Sequence, residues 1–363
     1  MSIDFNFRMA RLAREMLELT QTATATNARL SQARLSRIES GQVPPTPGEV
    51  DALAAALQVP AAFLREPGVP AAVPLFRKRA IRSARRVSAI QGRLNVAVLI
   101  AQRLLDAGVD LEAPQRFPDP GDLPADEPEH AAEILRRDWR LPAGPIDDVT
   151  AMIESAAGLV LRVDFGTSDA TAAFIATPAD GRLWFLINTR ESAGDRVRLS
   201  LAHELGHAVL HRLLPAVDER EVEDQAFRFA AALLLPSDSF DQAVPYDALT
   251  LQRARQLKGA YGVSIQAIIR AARSRDRISR ARYTSLYKQL SARQWRIHEP
   301  DPIEVETPNL WPEVLDVHRT DHGYSDEELA GIARVAPETL NDLFPDHFAP
   351  PRPKLRSVHA AQV

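Results

Sequence analysis

The chain of 363 residues contains no cysteine. That excludes disulfides, thiolate metal sites and cysteine nucleophiles, and it fits a reducing compartment such as the cytoplasm. Aromatic residues are sparse at 6%, with four tryptophans and five tyrosines. No apolar run reaches the roughly 20 residues that cross a bilayer, so no membrane association is expected. The first residues set Arg8, Arg11 and Arg14 in a helical pattern with no apolar stretch after them, which is not how a secretory signal reads. What remains is ordinary for a globular protein: 45% hydrophobic and 25% charged residues, in a length that suits two or three domains.

Charge is unevenly placed. The formal net charge is −4, yet residues 1–93 hold 14 Lys+Arg against 7 Asp+Glu, and the remainder holds 30 against 41. A basic end on an acidic chain suggests that this end meets a polyanion.

The most specific motif is His203-Glu204-Leu205-Gly206-His207. Two histidines four apart on a helix lie on one face, because four steps of about 100° return almost to the start. Both imidazoles then reach one zinc ion, and Glu204 is placed as general base toward a water activated by the metal. The flanks, from Val197 to Ala202 and from Ala208 to Leu210, make the helix strongly apolar. A charged triplet buried in such a helix is costly without a metal or other partners.

The basic end has its own pattern. Phe7, Leu12, Met16 and Leu19 have helical spacing, and Thr20-Gln21 caps a second helix. Leu30-Ser31-Gln32-Ala33-Arg34-Leu35-Ser36-Arg37-Ile38-Glu39-Ser40-Gly41 reads as a turn, a Ser-capped helix and a glycine stop. Thr46-Pro47 starts a further helix with Val50, Leu53, Ala54 and Leu57 facing inward, and Phe63-Leu64 closes the bundle. This order resembles the helix-turn-helix of the XRE, or lambda-repressor-like, family. The resemblance implies that residues 1–66 bind double-stranded DNA with the second helix in the major groove, where Gln32, Ala33, Arg34 and Arg37 read bases or backbone. It puts Gln21 on a phosphate at the preceding helix start. Thr24 and Arg29 depart from the family's Leu and Gly, and a non-glycine residue in a left-handed turn costs about 1 kcal/mol. Residues 67–128 follow as a basic linker and helical connector. Its Arg77, Lys78, Arg79, Arg82, Arg85 and Arg86 read equally as a DNA-backbone contact or a solvated face.

Leu159 to Val163 is strand-like, and Thr171–Thr177 and Arg182–Asn188 flank an Asp180-Gly181 turn as a hairpin directly ahead of the zinc helix. A small sheet before such a helix is the zincin arrangement, whose edge strand aligns an extended peptide by strand addition. A catalytic zinc needs a third protein ligand and one open position. Spacing alone admits Glu219, Glu221 or Glu223. The run Glu223 … Ala226 … Phe229-Ala230 … Leu233-Leu234-Leu235-Pro236 resembles the second helix of the ImmA/IrrE metallopeptidases, and that resemblance places the third ligand on Glu223. Matches at Ala132, Leu135, Arg136, Trp139, Gly144-Pro145-Ile146, Tyr261-Gly262-Val263-Ser264 and Trp295-Arg296 extend the likeness over most of residues 5–300, as in members with an N-terminal XRE domain. His211, four residues past His207, is either a support for the site or a helix-end histidine near the dipole. The sequence names no oxyanion stabiliser; Tyr246 and Tyr261 are candidates only.

The expected fold is therefore α+β and mostly helical. An all-α bundle (1–66) precedes the connector (67–128), and a zincin-like ImmA/IrrE peptidase domain with a small sheet on the metal helix spans 129–294. A C-terminal helical element with a disordered tail (295–363) follows, suited to packing or to a homodimer. The resemblance implies a cytoplasmic, DNA-binding zinc endopeptidase that cleaves a repressor-like protein and derepresses stress, prophage or mobile-element genes. The alternative is a transcriptional regulator or antitoxin in which the zincin domain is a sensor or scaffold.

Overall fold

Local capping chemistry sets the N-terminal helices. The computed structural model of the chain describes residues 5–67, 83–111, 113–119, 121–177, 181–212 and 218–348. Asn6, Thr20, Ser31 and Thr46 each accept a backbone N–H at the start of α1 (Phe7–Met16), α2 (Gln21–Asn27), α3 (Gln32–Glu39) and α4 (Pro47–Ala56). Thr46 and Glu49 form a reciprocal capping box. Gly41 ends α3 in the left-handed region at φ +72, as its place predicts. Both family departures leave their mark. Arg29 takes the left-handed turn at φ +55, and Thr24 is buried with a hydroxyl that has no hydrogen-bond partner among the described residues.

The connector holds a 23-residue helix, α5 (Ala84–Asp106), buried along most of its second half. It packs closely on α1: a Cβ at Gly92 would lie 2.7 Å from the Met16 backbone nitrogen. After α6 (Pro128–Asp138) and α7 (Val149–Glu154) come three strands, β1 (Leu159–Val163), β2 (Ala172–Ala176) and β3 (Leu183–Asn188). They form one sheet in the order β1-β3-β2, with β1 parallel and β2 antiparallel to β3. The hairpin turn at 178–180 lies outside the described residues, as do Arg77, Lys78, Arg79 and Arg82.

Apart from Arg162 and Asn188 toward their ends, the strands are apolar because both faces are covered. Val160, Phe174, Phe185 and Ile187 face a core shared with α8 (Gly194–Leu210), α9 (Glu219–Leu234), α10 (Ser237–Ala243), α11 (Leu251–Tyr261), α12 (Ile265–Ser274) and α13 (Arg280–Ala292). Leu159, Leu161, Ala173, Ile175, Trp184 and Leu186 face the other core. That second core contains α1, α3, α4, α5 and the C-terminal helices α14 (Leu310–Asp316), α15 (Asp326–Ala333), α16 (Pro337–Leu343) and α17 (Pro345–Phe348). On that face α14 lies on β1, α14 and α15 pack on α5, and the N-terminal bundle joins the same core by packing α1 on α5. The architecture is α+β and mostly helical, as read from the sequence. Residues 349–363, where the tail was expected, lie outside the described residues.

Candidate metal centre

Helices α8 and α9 cross at Gly206, where a Cβ would come within 3.1 Å of the Ala226 Cα and carbonyl oxygen. The absence of a side chain there is what lets the second helix bring Glu223 to the two histidines. His203 Nε2 lies 3.1 Å from His207 Nε2, and each is 3.5 Å from a different Glu223 oxygen. For a tetrahedral zinc with ligand bonds of about 2.0–2.1 Å, the ligand atoms sit about 3.3 Å apart. The three side chains are the one group among the described residues whose donor atoms fit a metal, and they match the expected set. Glu219 and Glu221 are exposed in the first turn of α9 and are not part of this group.

Electrostatics agree with a cation between them. Glu223 is held well below the usual carboxylate range, chiefly by His203 and His207 within hydrogen-bonding reach. His207 is pushed down by burial, so its ring is neutral and open as a ligand. Glu204 is fully buried and its carboxyl is raised well above its ordinary value, first by burial and then by the charge of Glu223. The nearby Phe174 backbone N–H pulls the other way, and Oε2 is buried with no partner among the described residues. A buried carboxylate oxygen left bare beside a His-His-Glu cluster fits a site built for an ion and a water. Glu204 and His203 line a cleft of about 290 Å³ with Thr171, Ala172, Leu199 and Phe227, beside the start of the edge strand β2.

His211 supports the site rather than merely ending the helix. Its Nδ1 lies 3.3 Å from His207 Nδ1 and its Nε2 lies 2.9 Å from Gln225 Oε1. Burial pushes it down to about 4, so it is neutral. The i, i+4 spacing was a usable signal for His211; Gln225 had none. Sequence reasoning also missed Arg198, a buried guanidinium on α8 that bonds the carbonyls of Ile146 (2.6 Å) and Asp147 (3.0 Å) and the carboxylate of Glu306. Glu306 in turn accepts the Val149 and Thr150 N–H groups at 3.0 and 2.9 Å, so the metal helix is anchored to α7. The two candidate tyrosines are corrections. Tyr246 is 69% exposed in the loop between α10 and α11, Tyr261 bonds Ser239 at 3.1 Å, and neither lines the cleft.

At the N-terminal domain, Gln21 donates to Glu39 at 2.9 Å and Gln32 donates to Gln21 at 3.0 Å, a chain anchored by Arg14 on Glu39 at 2.7 Å. Arg34 is half-buried and paired with Glu49 at 2.7 Å, which holds that carboxyl down at about 2. Its charge is paired with Glu49 at the bundle surface. Ala33 and Arg37 are exposed on α3, and Arg37 has no ion-pair partner among the described residues.

Comparison with known families agrees with this geometry. Residues 159–273 match the IrrE N-terminal-like domain of the M78 peptidases, and residues 7–66 match a helix-turn-helix domain. A comparison with curated proteins finds no match.

Proposed function

We propose that this chain, an ImmA/IrrE-type peptidase domain behind an XRE-like helix-turn-helix domain, is a DNA-binding zinc endopeptidase that cleaves a repressor-like protein and so derepresses stress, prophage or mobile-element genes. The observation that carries the chemistry is the convergence of His203, His207 and Glu223 at 3.1–3.5 Å beside the bare oxygen of Glu204. Those three residues would hold the zinc, which supplies Lewis acidity and lowers the pKa of a water.

Glu204 does the proton work. Its raised proton affinity suits a base that takes a proton from the attacking water at Oε2 and returns it to the leaving amine. Oε2, buried and without a partner among the described residues, is the oxygen left to take the proton. An extended peptide is aligned along β2, the edge strand beside the cleft. His211 and Gln225 keep the His207 ring in place, the usual part of groups behind a metal-bound histidine. On DNA, Gln21, Gln32, Ala33, Arg34 and Arg37 make the contacts, with the Arg34 guanidinium also held by Glu49. The compartment is the cytoplasm, and no described helix is long and apolar enough to cross a membrane.

Metal analysis of the purified chain should find about one zinc per chain. Glu204→Gln should keep that zinc and abolish cleavage of a co-expressed repressor. A zinc-free protein, or a cleaving Glu204→Gln variant, overturns the proposal. Operator binding with target genes still controlled normally by Glu204→Gln would instead favour a regulator or antitoxin with a zincin scaffold.

A further inference from the structure

A second cavity of about 500 Å³ adjoins the cleft, and Arg196 and Leu199 of α8 line both. A volume of this size holds more than one side chain. Its buried charges are spent on one another. Lys258 sits between Asp195 at 3.0 Å and Glu299 at 3.1 Å, and Glu299 also accepts the Ile265 and Gln266 N–H groups at 2.7 and 3.2 Å. Two exposed lining guanidiniums are left over. Arg270 donates to the Tyr287 hydroxyl at 3.2 Å and Arg296 lies over the Tyr287 ring at 5.8 Å. Neither has a carboxylate partner among the described residues.

The cavity lining itself carries Arg196, Lys258, Arg270 and Arg296 against Asp195 and Glu299, and the wider segment is basic in sequence although several of its cations are paired, Arg255 with Asp301 among them. Residues 251–298 contain twelve Lys+Arg and a single acidic residue, Asp276. Apolar surface runs beside the charge: Ile297 on this cavity is 79% exposed, and Phe227 on the adjoining cleft is 37% exposed.

We propose that the cavity is a specificity subsite of the peptidase cleft that takes an Asp or Glu side chain of the substrate about three residues from the scissile bond. The inference rests on the peptidase reading above. Arg196 precedes His203 by seven residues on α8, which is about 10 Å along a helix. An extended peptide covers that distance in about three residues. A bulky apolar side chain packs on Leu199 and Phe227, and a carboxylate beyond it meets Arg270 and Arg296. A nucleic-acid backbone fits less well, because Asp195, Glu299 and the Glu191 partner of Arg196 lie among the cations and would repel a run of phosphates.

Two readouts test it on the full chain. Digestion of a proteome-derived peptide library by the zinc-loaded protein should enrich Asp and Glu about tenfold at the third or fourth residue on one side of the cut. The metal-free protein should bind a fluorescein-labelled hexapeptide with two adjacent glutamates about tenfold more tightly than its Gln-Gln counterpart, by fluorescence polarisation. In the Arg270→Gln/Arg296→Gln variant the Glu-to-Gln ratio should fall to about one in both. Both are exposed side chains, and a ratio taken within one protein is insensitive to partial loss of fold. No acidic preference in the unaltered chain, or one that survives the double variant, overturns the subsite. So does tight binding of a single-stranded oligonucleotide that the double variant loses while peptide preference is absent. Failure to cleave any library member despite bound zinc would fell the peptidase reading, and the binding ratio would still decide the subsite.

Discussion

Gly206→Ala places one methyl group where α8 and α9 come closest. Its Cβ would lie 3.1 Å from the Cα and carbonyl oxygen of Ala226 and 3.2 Å from a Phe229 ring carbon. Ordinary carbon contacts are about 3.5–4.0 Å, so α9 must retreat by a few tenths of an ångström. Two effects on stability oppose each other. Alanine favours the helix over glycine by about 1 kcal/mol, while overpacking costs about 1–3 kcal/mol, which leaves a net loss of about 0–2 kcal/mol. Metal affinity is the more sensitive quantity. Glu223 is three residues before Ala226 on the same rigid helix, and its oxygens now stand 3.5 Å from the histidine nitrogens. Moving them by a few tenths of an ångström against bonds of about 2 Å should weaken zinc about ten- to hundredfold, the range seen when ligand-orienting partners are removed. Competition with a chromogenic chelator measures the affinity, and thermal unfolding of the metal-free protein measures the packing cost. A fallen Tm with unchanged zinc affinity would refute the argument that this helix separation sets the ligand geometry.

Glu223→Gln should lower zinc affinity by orders of magnitude in the same titration while Glu219→Gln changes little; equal affinities would place the third ligand elsewhere. Glu154 is raised to about 7, first by burial, while the Asn309 and Leu310 N–H groups at 3.0–3.1 Å oppose the shift. The folded state therefore binds its proton more tightly than the unfolded one. Its contribution to stability is fully present below about 4.5 and is lost as pH rises to about 7, a loss of about 1–2 kcal/mol after solvent screening. Urea unfolding at pH 5 and pH 8 should show this decline, and Glu154→Gln should flatten it; an equal slope in the variant would mean that another group carries the dependence. Arg37→Ala should weaken operator binding by about 1–3 kcal/mol with stability unchanged, whereas Arg34→Ala should cost about 0.5–1 kcal/mol of stability through the lost Glu49 pair. Gel shifts beside thermal unfolding separate the two, and a Arg37→Ala variant with full affinity would remove that residue from the DNA contacts.

Features that depend on a few neighbouring residues were legible in the chain. Thr20, Ser31 and Thr46 announce their helices because a cap is a contact across three residues. His203 and His207 declare a shared face through one helical turn, and the apolar runs of β2 and β3 with a turn between them declare a hairpin. The third ligand was half-legible. Glu219 and Glu223, four residues apart, share a face of α9, so helical phase sets aside only Glu221; what distinguishes Glu223 is its place within a turn of the buried Ala226. Arg198 was illegible, since its partners Ile146, Asp147 and Glu306 lie 51 to 108 residues away and a lone arginine in an apolar flank looks like an exposed one.

The largest gap between pattern and structure is the second face of the sheet. Nothing local in β1 or β3 says what covers Leu161, Trp184 and Leu186, only that something must, because strands this apolar cannot face water. The cover is assembled from both ends of the chain. Glu66, at the end of the N-terminal bundle, is buried and paired with Arg103 of α5 and with Arg334 at the end of α15, while Arg93 of α5 bonds Asp342 at 2.6 Å. Each joins a buried group to a more exposed partner, tying the end of the bundle to α5 and α15 and α5 to α16, so removing the partner would leave Glu66 or Arg93 as an uncompensated buried charge. The helix-turn-helix and the metal helix therefore sit on opposite sides of one three-stranded sheet, joined through its two cores. A charged linker in the sequence suggests two domains on a tether. The burial of Glu66 argues instead that the DNA-binding helices and the cleft keep a set orientation, since swinging one away from the other would expose both that carboxylate and the apolar face of α5.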